Sequence, residues 1–596
     1  MEKYILYFLN IIISFIGLYS FNYSLGLADN SQAISSIFTI IFYVFLFKLN
    51  IKYLFSKEKM YNQILIYILS TLFSFCSVVG YNLTKFNYSF LNKGITYFYI
   101  LAMVPSIASL IKYGLAKLNI FIDKIKKINF PKIDNLIFGN KKLVFIKCLI
   151  IILLAWLPVL LAFYPGIFSY DSSVQLNEVI NPDNLSNNNP IIHTLILGNI
   201  IKLGKSIFNS YNIGIFIYTI LQILILATVL SIEISYLNKK KCSFTFKIIT
   251  LLIFMFMPAY SVMGITATKD IVFSAFFSLY FIKIVEMCTN TNEYFKSKLN
   301  IVLTIILAFL FLIFRHNGYY AYIVFIPFCI LILRKHWKKL LIILLFPIIL
   351  YNTYLNIVND ILNITPEKFP SAVLCVPVQQ LPRTYNLSSN LTELEKEKLD
   401  KLKLEENSYQ YYEDHKVDSV MWKLNMNIIT NNISEYIDLY LSIGSKNINT
   451  YIDAFLANTI GYWYIGDELP DDETYRTYIE IRTRDDFNNT NDEIKFESKL
   501  PILYNFYFNM IEKAQYKNIP VISTIANVAF NIWILIISTF YILYKKNYKN
   551  LVPLLLFYGL LVTLFIGPVA ILRYAYPIFI SLPIILFLCF DQCKEN

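Results

Sequence analysis

The residues best equipped for chemistry begin at Tyr164-Pro165-Gly166 and continue through Tyr170-Asp171-Ser172-Ser173-Val174-Gln175, where Asp171 is the only charge. A carboxylate just past a helix end, held by a Pro-Gly turn and flanked by Tyr, Ser and Gln donors, can serve as a general base or a metal ligand. From these residues alone a solvated loop aspartate is the competing reading. Asn187-Asn188-Asn189-Pro190 and His193-Thr194 follow after a polar stretch. Three cations stand at the ends of apolar runs: Lys269 in Thr266-Ala267-Thr268-Lys269-Asp270, Arg315 in Arg315-His316-Asn317-Gly318, and Arg573 in Arg573-Tyr574. Such cations suit an anionic phosphate at a membrane surface, with snorkelling anchors as the alternative. Gln379, Gln380 and Arg383 lie in Val376-Pro377-Val378-Gln379-Gln380-Leu381-Pro382-Arg383 and read as chain returning across the site, in contact with donor or acceptor. The acidic group Asp467, Glu468, Asp471, Asp472 and Glu473 matches no metal-ligand spacing and reads as a solvated turn.

The elements that must position these residues are membrane helices. The 596 residues are 57% apolar and 15% charged, outside the soluble globular range. Fourteen apolar runs of roughly twenty residues, each about the length that crosses a hydrocarbon core, lie between residues 5 and 590. The first ends without a small-residue cleavage pattern and reads as a retained anchor. Lys and Arg gather in alternate loops, at Lys124 to Lys142, Lys239 to Lys241, Arg334 to Lys339 and Lys545 to Lys549. That alternation places those loops and the N-terminus inside. The net charge of +12 is then inner-face anchoring, and no nucleic-acid partner is needed. Lys269, Arg315 and Arg573 fall in short outer loops, where the positive-inside rule leaves them a role beyond topology. The eight cysteines are scattered singly and form neither a disulfide framework nor a zinc pattern.

The expected fold is an all-α polytopic membrane protein with about fourteen transmembrane helices. Residues 1–142 form an accessory four-helix block with a basic cytoplasmic loop, and 143–356 the transmembrane core with a chemistry-bearing outer loop at 164–211. Residues 357–519 form a large, mainly helical extracytoplasmic domain, and 520–596 the last spans. Leu195 to Phe208 is broken by Lys202, Gly204 and Lys205, and reads as an interfacial or re-entrant helix, because a crossing there would put Lys239 to Lys241 outside. In the outer domain Thr392 and Glu395 form a capping box opening a helix through about Glu406, with further helices at about 432–444 and 448–459. Gly461-Tyr462-Trp463-Tyr464 suits the membrane interface. Abundant Ile, Asn, Lys, Tyr and Phe point to an AT-rich bacterial genome, hence to a bacterial cytoplasmic membrane.

A span, an outer loop with an Asp, a surface helix after a Pro turn, further spans and a large late outer domain resemble the GT-C class of membrane glycosyltransferases. The series Tyr164-Pro165-Gly166, Asp171, Gln175, Asn189-Pro190 and His193-Thr194 is similar to a bacterial membrane family associated with that class. The resemblance covers roughly 143–590. It implies that Asp171 is the catalytic base and that a polyprenyl-phosphate sugar is the donor. It further implies that Lys269, Arg315 and Arg573 meet the donor phosphate and that transfer occurs on the outer face to a glycan, lipid or protein hydroxyl, with inversion. Tyr170, Gln175, His193, Gln379, Gln380 and Arg383 are then substrate contacts. Related enzymes often carry His before this Pro, where this chain has Asn189 and places its histidine at His193. A metal-free route and one assisted by a divalent cation are both open. The alternatives are a transporter or lipid-linked oligosaccharide flippase, and a surface polysaccharide polymerase or ligase. Only Lys283 and Glu286 suggest the mid-membrane ionisable residues of a carrier, and they are spaced to pair with each other.

Overall fold

The computed structural model describes the chain except residues 1, 28–32, 169, 365–373, 389, 467–493, 495, 514 and 591–596. It is an all-α polytopic membrane protein: eleven of the described helices are long and apolar enough to cross a membrane, or up to thirteen if each of two bent pairs is one span. Helices stand at all fourteen expected positions, but not all as straight spans. Phe244–Phe256 and Pro258–Ile265 meet at 46°, since Pro258 keeps Met257 extended and opens a new helix. Pro520–Ala526 and Val528–Tyr544 meet at 71°, where the Asn527 side chain caps the second by accepting from the Phe530 amide. Lys298–Phe314 and His316–Ile332 have only 17 residues each, about 25 Å at 1.5 Å per residue. Ile191–Phe208, expected at the interface, is itself long and apolar enough to span, because its lysines sit only toward its last turns.

The chain divides into two compact units, which cut across the linear blocks. The first joins residues 1–124, 368–469 and 565–570. Within it the helices Cys375–Leu387 and Ile448–Thr459 share a buried core with Leu399, Val417, Tyr436 and Ile443. The capping box is present, with the Thr392 amide donating to Glu395 at 2.9 Å, but the helix ends at Asp400 instead of about Glu406. The helices Ile433–Lys446 and Ile448–Thr459 lie where the pattern puts them. Tyr462, Trp463 and Tyr464 are buried inside the unit, Tyr462 donating to the Val569 carbonyl at 3.0 Å, and so do not face a membrane interface.

The second unit joins residues 125–367, 470–564 and 571–596 and carries the chemistry-bearing segments. After the Val144–Ala162 helix, Gly166 takes φ +132, and a Cβ there would run into the Thr219 side chain. This turn launches a parallel ladder of two residues a strand, Ile167 beside Thr266 and Phe168 beside Ala267. The strands lead directly into the helices Tyr170–Ile180 and Lys269–Thr289, so the ladder sets Asp171 beside Lys269. Ser172 secures the junction by donating to the Ala267 carbonyl. Beneath it Phe168, Leu176, Leu197, Ile201, Ile215, Tyr218 and Ala267 form one core. Gly166→Ala should therefore cost about 1–3 kcal/mol, visible as a lower unfolding temperature of the protein in lipid.

Candidate active site

Asp171 stands in the first turn of an eleven-residue helix, where the sequence suggests only a loop. The buried row Ser172, Gln175, Leu176 and Val179 gives the helical period, but polar residues in that row disguise it. A carboxylate in the first turn also meets the positive end of the helix.

Three predicted residues come together in this unit. Lys269 Nζ lies 3.0 Å from Asp171 Oδ2, and Arg573 Nη1 lies 3.3 Å from the same oxygen. Lys269 also donates to Asn189 Oδ1 at 2.6 Å. Among the described residues none bonds the other carboxylate oxygen, and the Asp171 side chain is 28% exposed against 14% for Lys269 and 17% for Arg573. Burial alone would raise the Asp171 carboxyl. Lys269 first, then Arg573, with Arg315 behind them, outweigh it and hold the group well below the ordinary carboxylate range.

Arg315 belongs to a second ion pair alongside, with Asp270, whose side chain is fully buried. Thr268 donates to Asp270 Oδ2 at 3.1 Å, and the Arg315 guanidinium lies 4.3 Å from the Tyr574 ring centroid. Three cations therefore face two carboxylates, leaving a surplus of one positive charge. Glu178, two turns along the Asp171 helix, accepts from Ser186 at 2.6 Å and is pushed up by its burial, outside the ion-paired group. His316 pins the 186–190 loop, with Nε2 3.0 Å from the Asn187 carbonyl and Nδ1 3.2 Å from the Tyr351 hydroxyl.

The other predicted contacts are placed differently. Gln175 and His193 are buried and bonded to each other at 3.0 Å, with Gln175 donating to Thr194 at 3.0 Å, so both are committed inside the protein and neither is open to substrate. Gln379, Gln380 and Arg383 belong to the first unit and are buried there. Gln379 donates to the Glu413 and Asp414 carbonyls at 2.8 Å each, and Gln380 to the Tyr451 carbonyl at 3.0 Å. Arg383 is fully buried against Asp414 and the Asn87 carbonyl, so it ties the 375–387 helix to the chain after the Met60–Phe86 helix. These three are structural, and Arg383→Ala should lower the unfolding temperature by leaving the Asp414 carboxylate without its cation. The Tyr170 side chain and the acidic group at 467–473 lie outside the described residues.

Asp270 and Tyr574 adjoin predicted residues in sequence and Asn189 belongs to the Asn189-Pro190 motif, yet the place of each in the site is given by its contacts. Tyr218, Gln222 and Glu233 escaped because each is a single polar residue in the apolar Tyr211–Lys239 helix. Lys283 and Glu286 do pair, at 2.7 Å. Among the described residues no group of three His, Cys, Asp or Glu is placed to hold a metal ion.

A family model described as a family of unknown function, DUF6020, matches residues 180–596. The match includes His193, Lys269, Arg315 and Arg573, and begins nine residues after Asp171. No curated protein and no solved structure matches the chain.

Proposed function

We propose that this chain, which belongs to the DUF6020 family, is an inverting glycosyltransferase of the GT-C kind that moves a sugar from a polyprenyl phosphate to an acceptor hydroxyl. The observation that carries the reading is the convergence of Lys269 and Arg573 on one oxygen of Asp171, beside the Asp270–Arg315 pair, at one end of a bundle of apolar helices. A surplus positive charge fits the single negative charge of a sugar phosphodiester. The phosphate oxygens take over Lys269 and Arg573, and Asp171, losing its counter-ions, gains affinity for a proton. Asp171 then accepts the acceptor's hydroxyl proton while that oxygen bonds to the anomeric carbon and the carbon–phosphate oxygen bond breaks. The phosphate leaves with one more negative charge as Asp171 loses one, so the site's charge is balanced throughout. Preorganised cations at the developing charge are the main source of rate in such a step.

The basic loops set the topology of this reading: fourteen crossings in a bacterial cytoplasmic membrane, with the site on the outer face and the 357–519 segment, which the two units share, extracytoplasmic. Appearance of a glycosylated acceptor, one sugar heavier, on incubating the protein in lipid with polyprenyl-phosphate sugars tests it. A ladder of products instead of one increment would favour the polymerase.

Glu233 gives the transporter reading its one specific support. It is fully buried in the Tyr211–Lys239 helix and bonded to Ser278 at 2.5 Å. It lies eleven residues, about 16 Å, along the helix from Gln222, which sits at the level of Thr268. Buried intramembrane carboxyls often serve proton or ion pathways. Glu233→Gln should leave sugar transfer within about threefold of wild type, since the carboxyl is outside the proposed site. Proton-coupled uptake into sealed vesicles that disappears in Glu233→Gln would establish transport instead.

A further inference from the structure

His193 touches neither ion pair, yet it stands between the two segments that supply Asp171 and Lys269. Its ring is 1% exposed, with Nδ1 3.0 Å from Gln175 Oε1 and Nε2 2.6 Å from the Tyr218 hydroxyl. Gln175 lies one turn beyond Asp171 on the same helix. On the other side, the Tyr218 hydroxyl is 3.1 Å from Gln222 Oε1, and Gln222 clamps the chain that leads into Lys269. Its amide donates to the Gly264 and Thr266 carbonyls at 2.8 and 2.7 Å, while its oxygen accepts from the Thr268 amide at 3.3 Å. Two carbonyls fix which way the Gln222 amide faces, because only its nitrogen can serve them. The path from Asp171 through Gln175, His193, Tyr218, Gln222 and Thr268 to Lys269 is closed into a ring by the Lys269–Asp171 ion pair.

We propose that His193 is a positioning residue, an imidazole strut whose two nitrogens hold the Asp171 helix at a set distance from the Lys269 segment. A neutral ring meets both partners: the single Tyr218 proton goes to Gln222 Oε1, so Nε2 donates to the Tyr218 oxygen and Nδ1 accepts from the Gln175 amide with that side chain turned. Proton transport by the ring would break one of these two bonds. A histidine that merely filled the core would matter equally whether or not Lys269 was present. A strut between Asp171 and Lys269 loses its purpose once Lys269 is gone.

This inference rests on the transferase reading, and the experiment separates their failures. Turnover of a polyprenyl-phosphate sugar by the full chain in lipid vesicles is measured from pH 5.5 to 8.5 for wild type, His193→Ala, His193→Gln, Lys269→Met and the double variant His193→Ala/Lys269→Met. His193→Ala is expected to lower kcat at least tenfold with KM changed less than threefold, and with the shape of the pH profile kept. In the Lys269→Met background it should add less than a twofold loss. His193→Gln, which keeps a donor and an acceptor, should recover at least part of the rate. An equal loss in both backgrounds, or disappearance of a limb between pH 6 and 7, would overturn the strut. If wild type turns over no donor, the transferase reading fails alone. The same comparison is then made on binding of a short polyprenyl phosphate: several-fold weakening by His193→Ala only where Lys269 is present supports the strut, and weakening in both backgrounds or in neither overturns it.

Discussion

Asp171→Asn should abolish sugar transfer while tightening the binding of polyprenyl phosphate. Loss of a general base costs on the order of 10²–10⁴ in rate. Binding moves the other way because in the ligand-free protein Asp171 Oδ2 occupies the cations at 3.0 and 3.3 Å that a phosphate would need. Removing the competing charge should tighten the phosphate about tenfold, as ~1.4 kcal/mol of relieved competition gives. Isothermal titration of wild type and variant in nanodiscs with the unreactive lipid phosphate reads this directly. Weaker binding in the variant would mean that Asp171 helps to hold the donor. The same exchange predicts how the rate depends on pH. In the free protein a carboxyl held low stays ionised at every pH above about 4, so kcat/KM should show no acid limb from Asp171 above that value. In the donor complex the cations are drawn to phosphate, the carboxyl rises, and the acid limb of kcat moves to higher pH. Its contribution to folding has the sign of a depressed carboxyl: present above the unfolded value and lost as pH falls toward the folded one.

Arg315→Ala should damage the fold more than Arg573→Ala, although both residues belong to the same cationic group. Asp270 is fully buried and paired with Arg315, whereas Arg573 meets the partly exposed Asp171, which keeps Lys269. Breaking a buried pair from one side leaves an uncompensated charge and costs roughly 3–5 kcal/mol. Removing Arg573 should instead spare stability and weaken lipid-phosphate binding by about tenfold, comparable to one charge-assisted contact. Thermal unfolding in lipid separates the two. The double variant Arg315→Ala/Asp270→Asn should recover much of the lost stability, and failure to do so would mean that Arg315 supports the fold by its packing on Tyr574.

The positions of the membrane helices are legible in the sequence because apolar runs of spanning length carry their own signal. What the runs do not carry is continuity: the bend before Pro258 and the break at Asn527 arise from single residues inside otherwise unbroken hydropathy. Asp171, Lys269 and Arg573 are legible for the same reason inverted, since a charge at the end of an apolar run is conspicuous. Their meeting is not, because it depends on a ladder of two residues per strand, too short to leave a pattern. Gln379, Gln380 and Arg383 show the converse error. Polar residues in a turn-rich stretch suggest ligand contacts, while in the fold they satisfy buried carbonyls and a carboxylate within the first unit. Tyr218 and Gln222 could have been noticed as polar residues four apart on one face of an apolar helix, a spacing that places them together.

The most direct measurement is mass spectrometry of the products formed by the purified protein in lipid with a panel of polyprenyl-phosphate sugars and candidate acceptors, beside Asp171→Asn. The expected result is consumption of one donor, release of polyprenyl phosphate and an acceptor one sugar heavier with inverted anomeric configuration, all absent from the variant. An acceptor glycosylated equally by the Asp171→Asn protein, or donor recovered intact but moved to the opposite leaflet, would contradict a transferase built on Asp171.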